Sequence, residues 1–433
     1  MKAKKRLLAC IISLCLLGAF PAIASADVAP GDLIDKSNWE KVDGLLPESV
    51  LGWVKTGDIV LNVVQLNYDP TDYMNPISKG SLEANKGKFD LDAENLFVDK
   101  ATGKFPEYIE GIPFPGVDEK DPRAAPKLVY NRFYDGYSMG SIFLPFTADW
   151  IGRGSGLERT VMCSWEQYPL DGYPGHKEKK NKEGYERFAM IRVLAPFDIK
   201  GTNILLMRYR GNKADTTLAY VPAIRRVRRM SPANRSDAFL GTDFCVDDAW
   251  GYGGKINAFT WKLIKKTDQL LPVYPGKPLK LVKNDVGEWA TVNEGQNITY
   301  GYQKEGFQGK PWWPQEIIYV KRPTYILECA AKDKYYNYGP QQLWVDAGCY
   351  TPTYKVISDR SGAYWKVEWQ SIGGISNADG SYRFAGLANM MAFDERSQHA
   401  CVLVLYNPKN SSRYGAEHDR NDFSLGGFQK LCK

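Results

Sequence analysis

Histidine is scarce in this 433-residue sequence: His176, His399 and His418 are the only three, and no two stand at metal-ligand spacing. No Cys-x-x-Cys pair occurs, which argues against thioredoxin-type redox chemistry and zinc knuckles. Walker, Rossmann, zincin and EF-hand patterns are also missing, so no cofactor is indicated. No Pro/Ser-rich linker or internal repeat divides the chain. An alternating strand–helix pattern, needed for a parallel sheet, is absent as well. A strong charge excess is lacking too. The formal net charge is +6, but Lys2, Lys4, Lys5 and Arg6 supply four of the positive charges and residues 1–26 hold no acid, leaving +2. Such a nearly neutral chain has no electrostatic footprint for nucleic acid.

The basic start is followed by an apolar stretch from Leu7 to Phe20 and by Ala24-Ser25-Ala26 before Asp27. A basic segment, an apolar segment and a small-x-small site in that order predict a cleaved signal peptide over residues 1–26. Almost nothing apolar precedes Cys10, so Leu7-Leu8-Ala9-Cys10 is read as part of the apolar segment rather than a lipid-attachment box. Residues 27–433 are expected to work in the periplasm of a Gram-negative bacterium as one elaborated β domain with long insertions. The charge run from His176 to Glu183 reads as a solvated loop.

Six cysteines remain after processing: Cys163, Cys245, Cys329, Cys349, Cys401 and Cys432. An oxidising compartment predicts up to three disulfides, with about fifteen connectivities open. Cys329 with Cys349, flanking a predicted hairpin, is the first expected pair, and Cys401 with Cys432 the second.

From Ile204 onward, short aromatic and β-branched runs alternate with turn residues. Asn203 to Arg210 and Thr216 to Val221 predict a hairpin joined through Gly211-Asn212-Lys213-Ala214-Asp215. Further strands are expected at Glu316 to Val320, Thr324 to Cys329, Gln342 to Asp346, Thr353 to Ser358, Tyr364 to Gln370 and Cys401 to Tyr406. Strands this close in sequence pair antiparallel. Pro47 to Val54 and the stretch opening at Asp422 predict short helices. The fold class is therefore mostly β: a curved antiparallel sheet with a few helices packed on it.

The block Leu218-Ala219-Tyr220-Val221-Pro222-Ala223-Ile224-Arg225-Arg226-Val227-Arg228-Arg229, with Phe239-Leu240-Gly241-Thr242-Asp243-Phe244 and Asp247-Asp248, resembles the outer-membrane lipoprotein-sorting-like proteins, which share the fold of the carrier LolA and the receptor LolB. More closely, the chain from residue 27 on resembles the family called domain of unknown function 1329. Gly31 to Asn38, Leu45 to Glu48, Gly111 to Pro115, Ile317 to Arg322 and Asp422 to Ser424 also carry this resemblance. It implies a LolA/LolB-like open antiparallel β-barrel, strongly curved, with helices on a concave face that holds a hydrophobic or lipid-like ligand such as an acyl chain. As partners it implies a transporter of the resistance-nodulation-division type and an outer-membrane protein. The six remaining cysteines depart from the usual pattern.

If Ile224 to Met230 is a strand, its arginines point both ways. Two readings follow: an edge strand protected by its own charges, or a latch in which Arg225, Arg226, Arg228 and Arg229 grip Asp243, Asp247 and Asp248 and hold the loop from Ser231 to Gly241 over a cavity. The resemblance encourages the latch, since an arginine is implicated in LolA lid closure. Lipid headgroups or a partner are a third use for the arginines. Phe244, Trp250, Tyr252, Phe259 and Trp261 form an aromatic block, suited to core packing or, bent by Gly251, Gly253 and Gly254, to lining a pocket. Of these, Phe244, Trp250 and Trp261 are candidate ligand contacts. In the first hairpin Leu205, Met207, Leu218 and Tyr220 are expected to face the concavity, because the other face carries Arg208 and Arg210. Trp312-Trp313, bracketed by prolines, reads either as a rim touching membrane or partner or as a self-anchored surface loop.

Gly136-Tyr137-Ser138-Met139-Gly140 matches the esterase nucleophile elbow, but the required strand before the serine and helix after it are not predicted. No catalytic residue is assigned. The preferred reading is a non-enzymatic periplasmic carrier. The rival is a ligand-free subunit linking a transporter to an outer-membrane partner, with an esterase using Ser138 as a minor alternative.

Overall fold

The computed structural model describes residues 28–231, 233–292, 298–405 and 411–432. The expected signal segment and its cleavage site lie outside them. The main sheet has eighteen strands among the described residues, and thirteen of them form an unbroken antiparallel succession, labelled in chain order: β1 Ile142–Gly152, β2 Gly156–Pro169, β3 Tyr185–Ala195, β4 Asn203–Tyr209, β5 Thr216–Val221, β6 Arg226–Met230, β7 Phe259–Val273, β8 Ile318–Ala331, β9 Gln341–Asp346, β10 Pro352–Ser358, β11 Tyr364–Ser376, β12 Arg383–Asp394 and β13 His399–Val404. Neighbours in the sheet run β6-β5-β4-β3-β2-β1-β13-β12-β11-β10-β9-β8-β7. The predicted hairpin is β4–β5, with Gly211 at φ 64 in its turn. Two expected strands, Glu316 to Val320 and Thr324 to Cys329, are one continuous β8. Pro323 is tolerated there because the β9 pairing stops at Thr324.

The chain passes from edge strand β6 to edge strand β7 through residues 231–258, called here the crossing segment. Its Asp247 bonds Arg235, which bonds Thr217 of β5, while the adjacent Asp248 meets Lys355 of β10. Those strands are eight places apart, roughly 38 Å in a flat sheet at about 4.8 Å spacing. One short segment can reach both only if the sheet curls around it. This defines a concave inner face.

A 15-residue helix, α3 (Ala124–Ser138), also sits on that face, twelve of its residues buried. Leu128, Tyr134 and Tyr137 pack in one cluster with Tyr325, Leu327, Leu343 and Ile357 of β8 to β10. The sequence reading gave no helix here. Ala125, Leu128, Val129, Tyr134 and Tyr137 follow helical spacing, but Pro126 and Gly136 obscure it. Proline is acceptable in the first turn, where its missing N–H has no intrahelical partner.

On the outer face lie α1 (Glu48–Thr56) and α4 (Leu425–Leu431), close to the two predicted helices, with α2 (Pro76–Ala84) beside α3. Trp53 of α1 meets Trp313 and Phe393 edge-on, and Trp312 stacks on Phe393. Trp312 and Trp313 are therefore buried, not a rim. No helix among the described residues is long and apolar enough to cross a membrane.

All six described cysteines are buried free thiols. The expected pairs are separated: Cys329 and Cys349 pack in different clusters, as do Cys401 and Cys432. Burial pushes the Cys163 and Cys329 thiols up to about 12. Denatured, non-reduced chain lacking residues 1–26 should therefore label at all six cysteines, and native chain at almost none. Labelling of four or fewer after denaturation would reinstate the disulfide expectation.

Candidate functional site

Strand alternation places Leu144, Phe146 and Ala148 of β1, Trp165 of β2, Ile191 of β3, Met390 of β12 and Leu403 of β13 around one apolar recess. Phe239, Phe244, Ala249 and Trp250 of the crossing segment close it. The recess measures about 690 Å³ counted to its mouth, with about 80 Å³ inside open to a water-sized molecule. That enclosed space is well below the range of ligand pockets, roughly 300–1,000 Å³. The interior is narrow, so a long chain enters only if the crossing segment moves.

That segment is held under strain. Leu240 and Trp250 have φ of 52 and 61, the left-handed region that side chains avoid, and each precedes a glycine in the same region. Such residues cost about 1–3 kcal/mol each and persist only where surrounding contacts fix them. A side chain on Gly251 would collide with Gln370 and Pro352.

The fixing contacts are buried ion pairs. Arg235 grips Asp247 and donates to Thr217, and Tyr336 donates to the same carboxylate at 3.0 Å. Asp248 pairs with Lys355, which also meets Glu368 at 3.1 Å, and accepts from Tyr338. Burial opposes the Lys355 charge, yet Asp248 and Glu368 outweigh it and hold the ammonium well above its ordinary range. Burial, reinforced by Asp248, pushes Glu368 up. Asp243 bonds His399 Nδ1 at 2.7 Å, and Trp150 donates to the Gly241 carbonyl.

The three aspartates expected to latch the loop do fasten the crossing segment, but not to the expected arginines. Arg225, Arg226, Arg228 and Arg229 are exposed, Arg225 in a left-handed turn and the other three on edge strand β6. The edge-strand alternative describes them. Arg235, Lys355, Glu368 and His399 were missed. Charged residues inside strand-like runs read as solvent-facing, and only the fold brings their partners to them.

The candidate ligand contacts divide. Phe244 and Trp250 line the recess. Trp261 lies half-buried beside the α3 cluster instead. Leu205, Met207, Leu218 and Tyr220 face outward, packed with Phe423 and Phe428 beneath the C-terminal turn and helix. In sequence, Arg208 and Arg210 mark a solvent face, which reverses the assignment. Arg208 is buried on the inner face, bonded to Asp215 at 3.1 Å and to the Gly253 carbonyl at 2.7 Å.

Ser138 ends α3, with β1 following, so helix and strand occur in the reverse of elbow order. Its hydroxyl shares a bond with Ser78 and donates to the Asp135 carbonyl. His176, His399 and His418 bond elsewhere. No metal-holding group of His, Cys, Asp and Glu occurs among the described residues.

His399 gives the site a pH dependence. The Asp243 hydrogen bond, against some burial, raises its pKa, and Glu158 at 3.4 Å adds to this. A raised folded pKa means the contribution to stability is full below the unfolded value, about 6.5, and fades as pH rises through the folded one. Wild type should thus lose melting temperature relative to His399→Gln as pH climbs above about 6.5. Parallel pH profiles for the two proteins would refute the assignment.

A family model described as protein of unknown function (DUF1329) matches residues 33–428. Among curated proteins none matches. An outer membrane lipoprotein-sorting protein domain from Vibrio parahaemolyticus is 16% identical, with a TM-score of 0.47, covering 71% of this chain and 100% of its own. A DUF1329 family protein from Desulfovibrio piger is 16% identical, with a TM-score of 0.44, covering 68% and 95%. A LolA superfamily protein from Nitrosomonas europaea is 13% identical, with a TM-score of 0.37, covering 66% and 91%.

Proposed function

The chain belongs to the DUF1329 family, and from that premise and the site geometry we propose that it is a periplasmic binding protein that carries a hydrophobic or lipid-like ligand. One observation carries the reading: an apolar recess on the inner face, closed by a strained segment that buried ion pairs hold down. Apolar walls reward entry of an apolar chain by removing its surface from water. The backbone strain and local latches give the cover a second position to adopt, which a carrier needs for loading and release. The sequence of residues 1–26 supports export, and a transporter with an outer-membrane partner would supply and receive the ligand.

The ligand-free docking role is favoured by the narrowness of the closed recess. Solvent extraction and native mass spectrometry of protein purified from the periplasm separate the two. A carrier yields about one hydrophobic molecule per chain, or takes up a long-chain alcohol when stripped. Protein that is folded, ligand-free and indifferent to such an alcohol would leave the docking role.

A further inference from the structure

Eight lysines and arginines among the described residues are buried: Arg132, Arg187, Arg208, Arg235, Lys310, Arg322, Lys355 and Lys366. Six of them form ion pairs with a carboxylate. The two that do not, Arg132 at 7% exposed and Arg187 at 4%, line the same small inner-face recess. Arg132 Nε and Arg187 Nη1 are buried without a hydrogen bond. Arg187 Nε donates to the Tyr137 hydroxyl at 3.1 Å, which in turn donates to Glu186. Asp135, one turn along α3 from Arg132, makes no ion pair with it, and burial raises its pKa.

This recess adjoins the apolar one. Arg132 lies over the Trp250 ring and Arg187 over the Trp165 ring, each at 5.8 Å, and the two rings meet edge-on at 6.0 Å. Both tryptophans line the apolar recess, and Trp250 lines both. The two recesses thus meet at an aromatic boundary, with the arginines on one side and apolar walls on the other. A buried guanidinium without an anion is costly, and its planar fork suits carboxylate and phosphate oxygens.

Resting on the carrier reading above, we propose that the ligand is an anionic amphiphile, its chain in the apolar recess and its oxyanion head between Arg132 and Arg187. Carboxylate and phosphate heads share this chemistry. A neutral head of the same chain length would leave both guanidinium forks without an oxyanion to grip.

The test compares a C16 fatty acid, a C16 lysophosphatidic acid and the C16 alcohol on the full processed protein by calorimetry. At least one acid should bind about tenfold or more tighter than the alcohol, since a hydrogen bond to a charged group is worth that much. Which acid is tighter names the head. Arg132→Gln and Arg187→Gln should each shrink this preference. Arg187→Lys, which keeps the charge but not the fork, should fall between. Should the glutamine variants misfold, the wild-type comparison still decides. Equal or tighter binding of the alcohol by wild type, or an intact preference in folded variants, would overturn the anionic head. Failure to bind any of the three, alcohol included, would instead overturn the carrier reading.

Discussion

Lys355→Met is expected to lower stability by about 3–5 kcal/mol, the cost of stripping one partner from a buried ion pair. Lys355 is 1% exposed and lies between Asp248 and Glu368, both buried. Without the ammonium, two carboxyl groups face each other in an apolar interior, and at least one must be protonated. Methionine matches the stem but supplies no charge. Because Asp248 belongs to the crossing segment, the loss should fall there first. Limited proteolysis between residues 239 and 251 should accelerate well before the sheet melts. A variant as stable and as protease-resistant as wild type would mean that the crossing segment does not depend on this pair.

Leu403→Lys should abolish retention of a hydrophobic ligand while leaving the melting temperature near that of wild type. Leu403 is half-buried on β13 and lines the apolar recess, so an ammonium there can reach solvent until an apolar chain enters. Binding then strips its hydration without giving it a partner. Leu205→Ala provides the contrast. Leu205 is fully buried on the outer face beneath Phe423 and Phe428, and its truncation should cost about 2–5 kcal/mol through the cavity left behind. Below its melting point that variant should bind ligand like wild type. If Leu205→Ala lost ligand and Leu403→Lys kept it, the binding face would be the outer one.

These contrasts follow how far residues alone carried the reading. The β4–β5 hairpin was legible because strand residues bracket a turn built on Gly211 and Asn212. The antiparallel class followed from short connections. Helix α3 was hidden by Pro126 and Gly136, although its apolar spacing was present. The inner face was misassigned because sequence cannot distinguish an arginine in water from one bonded to Asp215 in the interior. Asp243, Asp247 and Asp248 stand out in the sequence as carboxylates close downstream of an arginine run. Their partners Arg235, Lys355 and His399 come from 12, 107 and 156 residues away, separations no local pattern reports.

The central claim, that the recess beneath the crossing segment holds the ligand, is most directly tested by photocrosslinking. A C16 alcohol carrying a diazirine near its chain end would be bound to the processed protein, irradiated, and its attachment sites mapped by mass spectrometry. Attachment to the strands around Leu144 to Ala148 and Leu387 to Leu405, with Phe244 or Trp250 of the crossing segment, is the predicted result. Attachment confined to the outer face around Leu205, Met207 and Phe428, or none at saturating probe, would contradict it.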